Sequence, residues 1–290
     1  MKFNLTLTFN PIGDQIALAK VADEIGMHSV NLGDGLFFYE TTSVKYTYTA
    51  TGDRYWNART GFLDPFCAIS HLGAVTKNVR FLVNVLKLPC RQPMLVAKQA
   101  GTAAYLCQDR LSLGVGLSVW PEDFSINGTD MKTRGERCSE MIEILRKALT
   151  GEVFDYKGKF YDIPPLSINP VPNKPMPILI GGTATAALKR AAKLCDGFVS
   201  PNVKSPEIEK LIKEINGYRK EFGTDNKPFE MISVATDIYD LDGHKRLRDM
   251  GVTEACVMPW MYMGGKFSSP LQFKIDALNR FNDEVMSKMD

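Results

Sequence analysis

Short apolar runs and helical patterns alternate eight times along this chain of 290 residues. The runs are KFNLTLTF (2–9), HSVNLGD (28–34), VRFLVNVL (79–86), RLSLGVG (110–116), PILIGG (177–182), DGFVS (196–200), FEMISVATDIY (229–239) and EACVMP (254–259). Most are nearly unbroken in Val, Ile, Leu and Phe, as strands buried on both faces of a parallel sheet must be. Helical patterns stand between them, at 11–25, from Asp64-Pro65 onward, and over 94–107, 131–151, 183–194, 206–222, 244–251 and 270–288. Parallel neighbours need a crossover, and eight successive βα units close naturally into a (β/α)8 barrel, with an open doubly wound sheet as the alternative. The expected fold is therefore α/β, a TIM barrel forming one domain over residues 1–290. Two irregular stretches, 35–63 and 152–175, are expected as insertions after strands two and four.

Charge and hydropathy narrow the possible partners. Hydrophobic residues make up 44% and charged residues 23%, enough to bury a sizeable core, and the formal charge is +2. No block of basic residues offers a nucleic-acid or membrane patch, and no apolar stretch approaches the ~18 residues of a membrane span. MKFNLTLTFN runs straight into PIGD with no secretory h-region, so a cytoplasmic protein is expected. The six cysteines are scattered without a CxxC pair, which argues against a zinc site and a disulfide framework.

Active sites of such barrels lie at the C-terminal ends of the strands. Those ends are poor in the usual catalytic residues. His28 falls at a strand start, and His71 and His244 fall in helices, all expected to be structural or exposed. Glycine is plentiful instead. Gly181 and Gly182 precede Thr183 at a helix start, where free N–H groups favour a phosphate, although Gly-Gly with a capping Thr also serves as a plain turn. GVG in strand four lacks the spacing of a dinucleotide fingerprint. FLVNVLKLP (81–89) carries two polar residues, Asn84 and Lys87, inside an apolar strand. By alternation Asn84 shares the inward face of Leu82 and Leu86.

FLVNVLKLPCRQPMLVAKQAGTAAYLCQDRLSLGVGLSVWPEDF, RGERCSEMIEILRKALTGEVFDYKGKFYDI and PILIGGTATAALKRAAKLCDGFVSP together resemble the bacterial-luciferase-like family, over residues 1 to about 260. That family contains FMN-dependent monooxygenases and oxidoreductases that use the deazaflavin coenzyme F420. YTATGDRYWNARTGFLDPFCAIS and the VNVLKLP strand look most like its F420-dependent members. The resemblance implies a non-prolyl cis peptide at Asn84-Val85, with Val85 under the cofactor ring. It implies a phosphate site at Gly181, Gly182 and Thr183, and places Lys87 beside the cofactor. Asp34 matches the acidic member of the family's Asp-His pair, and a homodimer is the family expectation.

Two positions depart from that pattern. Gly35 stands where many F420-dependent members have a catalytic histidine, and Val119 where some have an acid. Trp120 is expected either to pack over the ring or to anchor its loop. The aromatics of 35–63 (Phe37, Phe38, Tyr39, Tyr46, Tyr48, Tyr55, Trp56) are expected to form either a lid over an apolar or aromatic small-molecule substrate or a dimer face. Arg91 is expected to bind an anion or to form a surface ion pair. Asp34 and Trp120 are the candidate catalytic residues, and no metal is expected. The first functional reading is F420-dependent hydride transfer to or from a small organic molecule. The alternatives are an FMN-dependent monooxygenase using oxygen, and a non-catalytic flavin- or ligand-binding protein.

Overall fold

A computed structural model of the chain describes residues 1–49 and 51–289; Ala50, inside the first insertion, and Asp290 lie outside the described residues. Eight parallel strands close into a barrel: β1 (Lys2–Thr6), β2 (Ser29–Leu32), β3 (Arg80–Lys87), β4 (Leu111–Gly116), β7 (Ile178–Gly181), β8 (Gly197–Val203), β9 (Glu230–Ala235) and β10 (Glu254–Val257). Neighbours follow chain order around the ring, and β1 pairs with both β2 and β10. The remaining strands, β5 (Phe154–Lys157) and β6 (Asp162–Leu166), form a separate antiparallel pair.

Helices cover the outside: α1 (Ile12–Glu24), α2 (Pro65–Val75), α3 (Pro93–Leu106), α5 (Arg134–Ala148), α6 (Thr185–Leu194), α7 (Ser205–Glu221), α8 (Leu241–Asp249) and α10 (Leu271–Glu284). Two short ones, α4 (Pro121–Ile126) and α9 (Pro259–Tyr262), sit in the loops after β4 and β10. The start of α2 is as the sequence predicts. Asp64 accepts from the N–H groups of Phe66 (3.0 Å) and Cys67 (3.1 Å), and Pro65 occupies the first turn, where its missing N–H is no loss.

The core has two layers. The larger lies between strands and helices and includes Phe81, Val83 and Leu86. The smaller fills the barrel itself with Leu82, Leu179, Val199, Ile232 and Cys256. Below the mouth the interior turns polar: Asn31 donates to Asn4 Oδ1 (2.6 Å) and Thr6 Oγ1 (2.9 Å), and Asn4 donates to Glu254 Oε1 (2.8 Å). Each of these buried groups thereby meets a partner, which removes most of the penalty of burial.

Strict alternation fails in β3. Val83 pairs with Leu113 but Leu86 pairs with Val115, so Asn84 and Val85 together stand opposite the single residue Gly114. This bulge turns Leu86 outward into the helix layer, whereas alternation had placed it inward with Leu82. The Asn84-Val85 peptide is cis, as expected from the resemblance. A second bulge in β8 sets Ser200 and Pro201 against Ser233, and the Val234 N–H bonds the Ser200 hydroxyl (2.9 Å). Both irregularities fall near the strands' C-terminal ends.

The two insertions lie at different places. Residues 35–63 connect β2 to α2 at the mouth, while 152–175 comes after α5 and contains the β5–β6 hairpin. The hairpin segment is tied to the outside of α5, where Glu140 accepts from the N–H groups of Lys159 (2.8 Å) and Phe160 (3.1 Å).

The glycines of β4 make room for the bulge. A Cβ on Gly114 would fall 2.3 Å from Val83 O, and one on Gly116 2.7 Å from Val85 Cγ2. Backbone cannot retreat from such a contact, so Gly114→Ala should lower stability by at least about 1–3 kcal/mol in urea unfolding. Gly217→Ala, inside α7 with nothing within 4 Å of the added methyl, should raise it by about 0.5–1 kcal/mol in the same assay.

Candidate active site

A cavity of about 710 Å³ opens at the C-terminal mouth of the barrel. Asp34, Asn84, Val85, Lys87, Trp120, Gly181, Gly182 and Thr183 all line it, so the structure brings together every site residue expected from the sequence. The bulge puts both Asn84 and Val85 on the cavity wall. Val85 sits in a glycine cradle: its methyl groups would touch Cβ atoms on Gly116 (2.7 Å), Gly114 (3.3 Å) and Gly181 (3.5 Å). GVG in β4 is therefore a steric requirement of β3. Among the described residues the Asn84 side chain makes no hydrogen bond, which suits its position facing the cavity.

Two buried ion pairs hold this strand end. Asp34 accepts the Lys87 N–H at Oδ2 (2.9 Å) and Arg91 Nη2 at Oδ1 (2.8 Å), so both its oxygens are engaged. Arg91 is 15% exposed and Asp34 3%, which makes this an interior clamp, in place of the anion site or surface pair expected for Arg91. The Lys87 ammonium lies 2.7 Å from Asp123 Oδ2, and Asp123 is wholly buried. Asp123 also accepts the hydroxyls of Tyr39 (2.8 Å) and Ser118. The polar residues that looked out of place in FLVNVLKLP thus have separate duties: Asn84 faces the cavity, and Lys87 balances a buried carboxylate.

Thr183 does not cap α6. No side-chain cap is present there, Ala184 is the capping residue, and Gly182 adopts a φ of 122° that favours glycine. The leading N–H groups of α6 are left without a capping side chain where residues 181–184 line the cavity. Of the two readings the sequence left open, the Thr-capped turn is therefore not what forms.

The first insertion supplies the aromatic wall. Phe37, Phe38, Tyr39, Tyr46, Tyr48, Tyr55 and Trp56 all line the cavity. Tyr46 stacks on Trp120 (5.8 Å, 15°) and meets Trp56 edge-on (4.9 Å). Trp120 is 6% exposed and is steadied by its own N–H, which donates to the Ser118 hydroxyl (3.2 Å). Phe9, at a φ of 70° that a bulky residue rarely takes, packs against Tyr55, Trp56, Phe62 and Phe267. Phe62 also occupies the space beside Gly35: a Cβ there would lie 2.5 Å from Phe62 Cγ. The space a side chain at position 35 would need is thus taken by an aromatic ring arriving from elsewhere in the loop.

Acid–base groups are correspondingly few. Burial, then the hydrogen bond and charge of Asp123, push the Tyr39 phenol well above its usual range, and burial does the same to Tyr46. Burial pushes the Cys90 thiol, just behind the wall, up to about 12. His28 is held down to about 4, first by burial and then by the charges of Lys2 and Arg80, while His244 is buried on the outer layer and also lowered by burial. None of the three histidines lines the cavity.

Sequence reasoning missed Asp123, Phe9, Phe62 and Arg54. Nothing local marks Asp123 in the sequence, and only its burial against Lys87, Tyr39 and Ser118 reveals its part. No group of His, Cys, Asp and Glu able to hold a metal occurs among the described residues.

The fold is thus a TIM barrel with a bulged β3, an uncapped helix after β7 and an aromatic loop after β2, all three meeting at one cavity. The chain belongs to the luciferase-like monooxygenase family, whose model matches residues 3–250. The protein Rv0940c of Mycobacterium tuberculosis strain H37Rv is 40% identical over 292 residues, covering 100% of both chains. Monooxygenase RslO1 from Streptomyces bottropensis superposes with a TM-score of 0.75 at 16% identity, covering 99% of each chain. An F420-dependent secondary alcohol dehydrogenase in complex with an F420-acetone adduct also gives 0.75, at 14% identity, covering 100% of this chain and 99% of that one. At such identities the two structures establish the shared fold.

Removing one member of the Asp34–Arg91 pair strands the other in the interior. Asp34→Ala should therefore destabilise the protein by about 3–5 kcal/mol, and adding Arg91→Met should restore part of the loss in a double-mutant cycle.

Proposed function

We propose that the chain is a coenzyme F420-dependent oxidoreductase that moves a hydride to or from a small organic substrate. The observation that carries a flavin-type cofactor is the seat of Val85, held at the cavity wall by glycines of β4 and β7 between the uncapped start of α6 and the aromatic loop. The residues fit the group. Val85 offers a narrow apolar ridge for a flat ring, and the residues 181–184 offer N–H groups and a positive helix end for a phosphate. Arg134, which also lines the cavity, adds positive charge for an anionic tail. Bound F420 would supply the hydride chemistry at its ring.

The chain's own residues bind, orient and exclude water. Asp34 is a positioning residue in this reading, because both its oxygens are spent on holding Lys87 and Arg91. Lys87 presents an ammonium at the wall, steadied by Asp123, where it can donate a hydrogen bond to an oxygen. Trp120, stacked with Tyr46, closes the apolar side of the site. The F420-like strand three and first insertion favour F420 over FMN, and the F420-dependent alcohol dehydrogenase named above superposes over the whole chain. An FMN-dependent monooxygenase is the second reading, favoured by the equal superposition of RslO1.

Titration of the purified protein with F420 and with FMN, followed by cofactor fluorescence, decides between them. Saturable F420 binding is expected, whereas FMN binding with none for F420 would overturn the first reading. Gly182→Asp introduces a carboxylate beside the proposed phosphate site, at a φ of 122°. It should weaken cofactor binding by roughly tenfold or more while leaving the circular dichroism spectrum unchanged.

A further inference from the structure

Three cations line the cavity, and two have partners within the chain. Lys87 is paired with Asp123, and Arg134 Nη1 donates to Met131 O (2.8 Å). Arg54 is the third. Among the described residues its guanidinium donates no hydrogen bond and meets no carboxylate. It lies instead against rings, 4.0 Å from the centre of Phe38 and 5.8 Å from that of Trp120, beside the Tyr46–Trp120 stack. Contact with aromatic faces leaves the in-plane N–H donors of a guanidinium available, and their fork matches a carboxylate bidentately.

The place of Arg54 separates it from the proposed phosphate site. The uncapped helix follows β7, whereas Arg54 belongs to the insertion after β2, and β3 and β4 stand between those strands around the barrel. By strand order Val85, on β3, comes between the two. A cofactor ring seated on Val85 with its phosphate toward α6 leaves the Arg54 side for a second molecule.

We propose that the substrate is a flat, apolar carboxylate whose acid group is bound by Arg54 and whose body packs among Phe38, Tyr46 and Trp120. The inference rests on the flavin-type reading of the same site and names the substrate class for it. Water can meet the Arg54 donors when a neutral molecule is bound, but only a carboxylate matches both the charge and the fork of the guanidinium.

Isothermal titration calorimetry with 2-naphthoate and its neutral analogue 2-naphthamide, on F420-loaded and on cofactor-free protein, tests this. The acid is expected to bind roughly tenfold or more tightly than the amide. Arg54→Met should erase that preference while leaving amide and F420 affinities unchanged, and Arg54→Lys, which keeps the charge but not the fork, should retain part of it. Absence of acid binding, equal affinity for acid and amide, or a preference that survives Arg54→Met would each overturn the proposal. A loss of F420 affinity in Arg54→Met, with the acid preference intact, would assign Arg54 to the cofactor and overturn it as well. Failure of the cofactor reading shows separately, as a wild-type chain that takes up no F420; the acid preference of the cofactor-free protein and its loss in Arg54→Met then decide the role of Arg54.

Discussion

Between Val83 and Leu86, strand β3 carries two residues where β4 carries one, and the extra backbone has to go somewhere. It goes toward the barrel mouth, and much of the site follows from that. Gly114 and Gly116 are bare because Val83 O and the Val85 methyls occupy the space a side chain would need. Asp34 reaches across from the end of β2 to take the Lys87 N–H, an amide that a regular parallel ladder would have used. The bulge therefore needs three supports at once: glycine on one neighbouring strand, a carboxylate on the other, and Arg91 to balance that carboxylate.

Charge is organised around the same point. Asp34 with Arg91 and Asp123 with Lys87 form two closed pairs in the interior, each able to stand only while both members are present. Asp123 gathers Lys87, Tyr39 and Ser118, and so ties β3, the loop after β2 and the loop after β4 into one wall. Among the described residues, the start of α6 without a capping side chain and Arg54 without an ion pair both lie at the cavity.

Much of the barrel was legible along the chain because its elements are local or periodic. Eight apolar runs, the Asp64-Pro65 helix start and the position of the mouth needed no knowledge of distant contacts. The short α4 and the β5–β6 hairpin were missed, being too brief to show a period, and α8 begins at Leu241, three residues before the expected His244. The outward turn of Leu86 was misread for a different reason: alternation assumes a regular strand, and one extra residue reverses every face beyond it.

The sequence by itself determined the fold class, the strand ends that meet at the mouth, and the family through three segments in fixed order. These follow from periodicity and from motifs that lie within single βα units. Only the tertiary structure decided that Thr183 leaves α6 uncapped, that Phe62 fills the place beside Gly35, that Asp123 is the buried partner of Lys87, and that Arg54 lies among aromatic rings with no carboxylate partner among the described residues. Each depends on side chains from loops far apart in the chain. Partnership and burial are properties of the closed barrel, and no local pattern encodes which charge will find a partner and which will face the cavity.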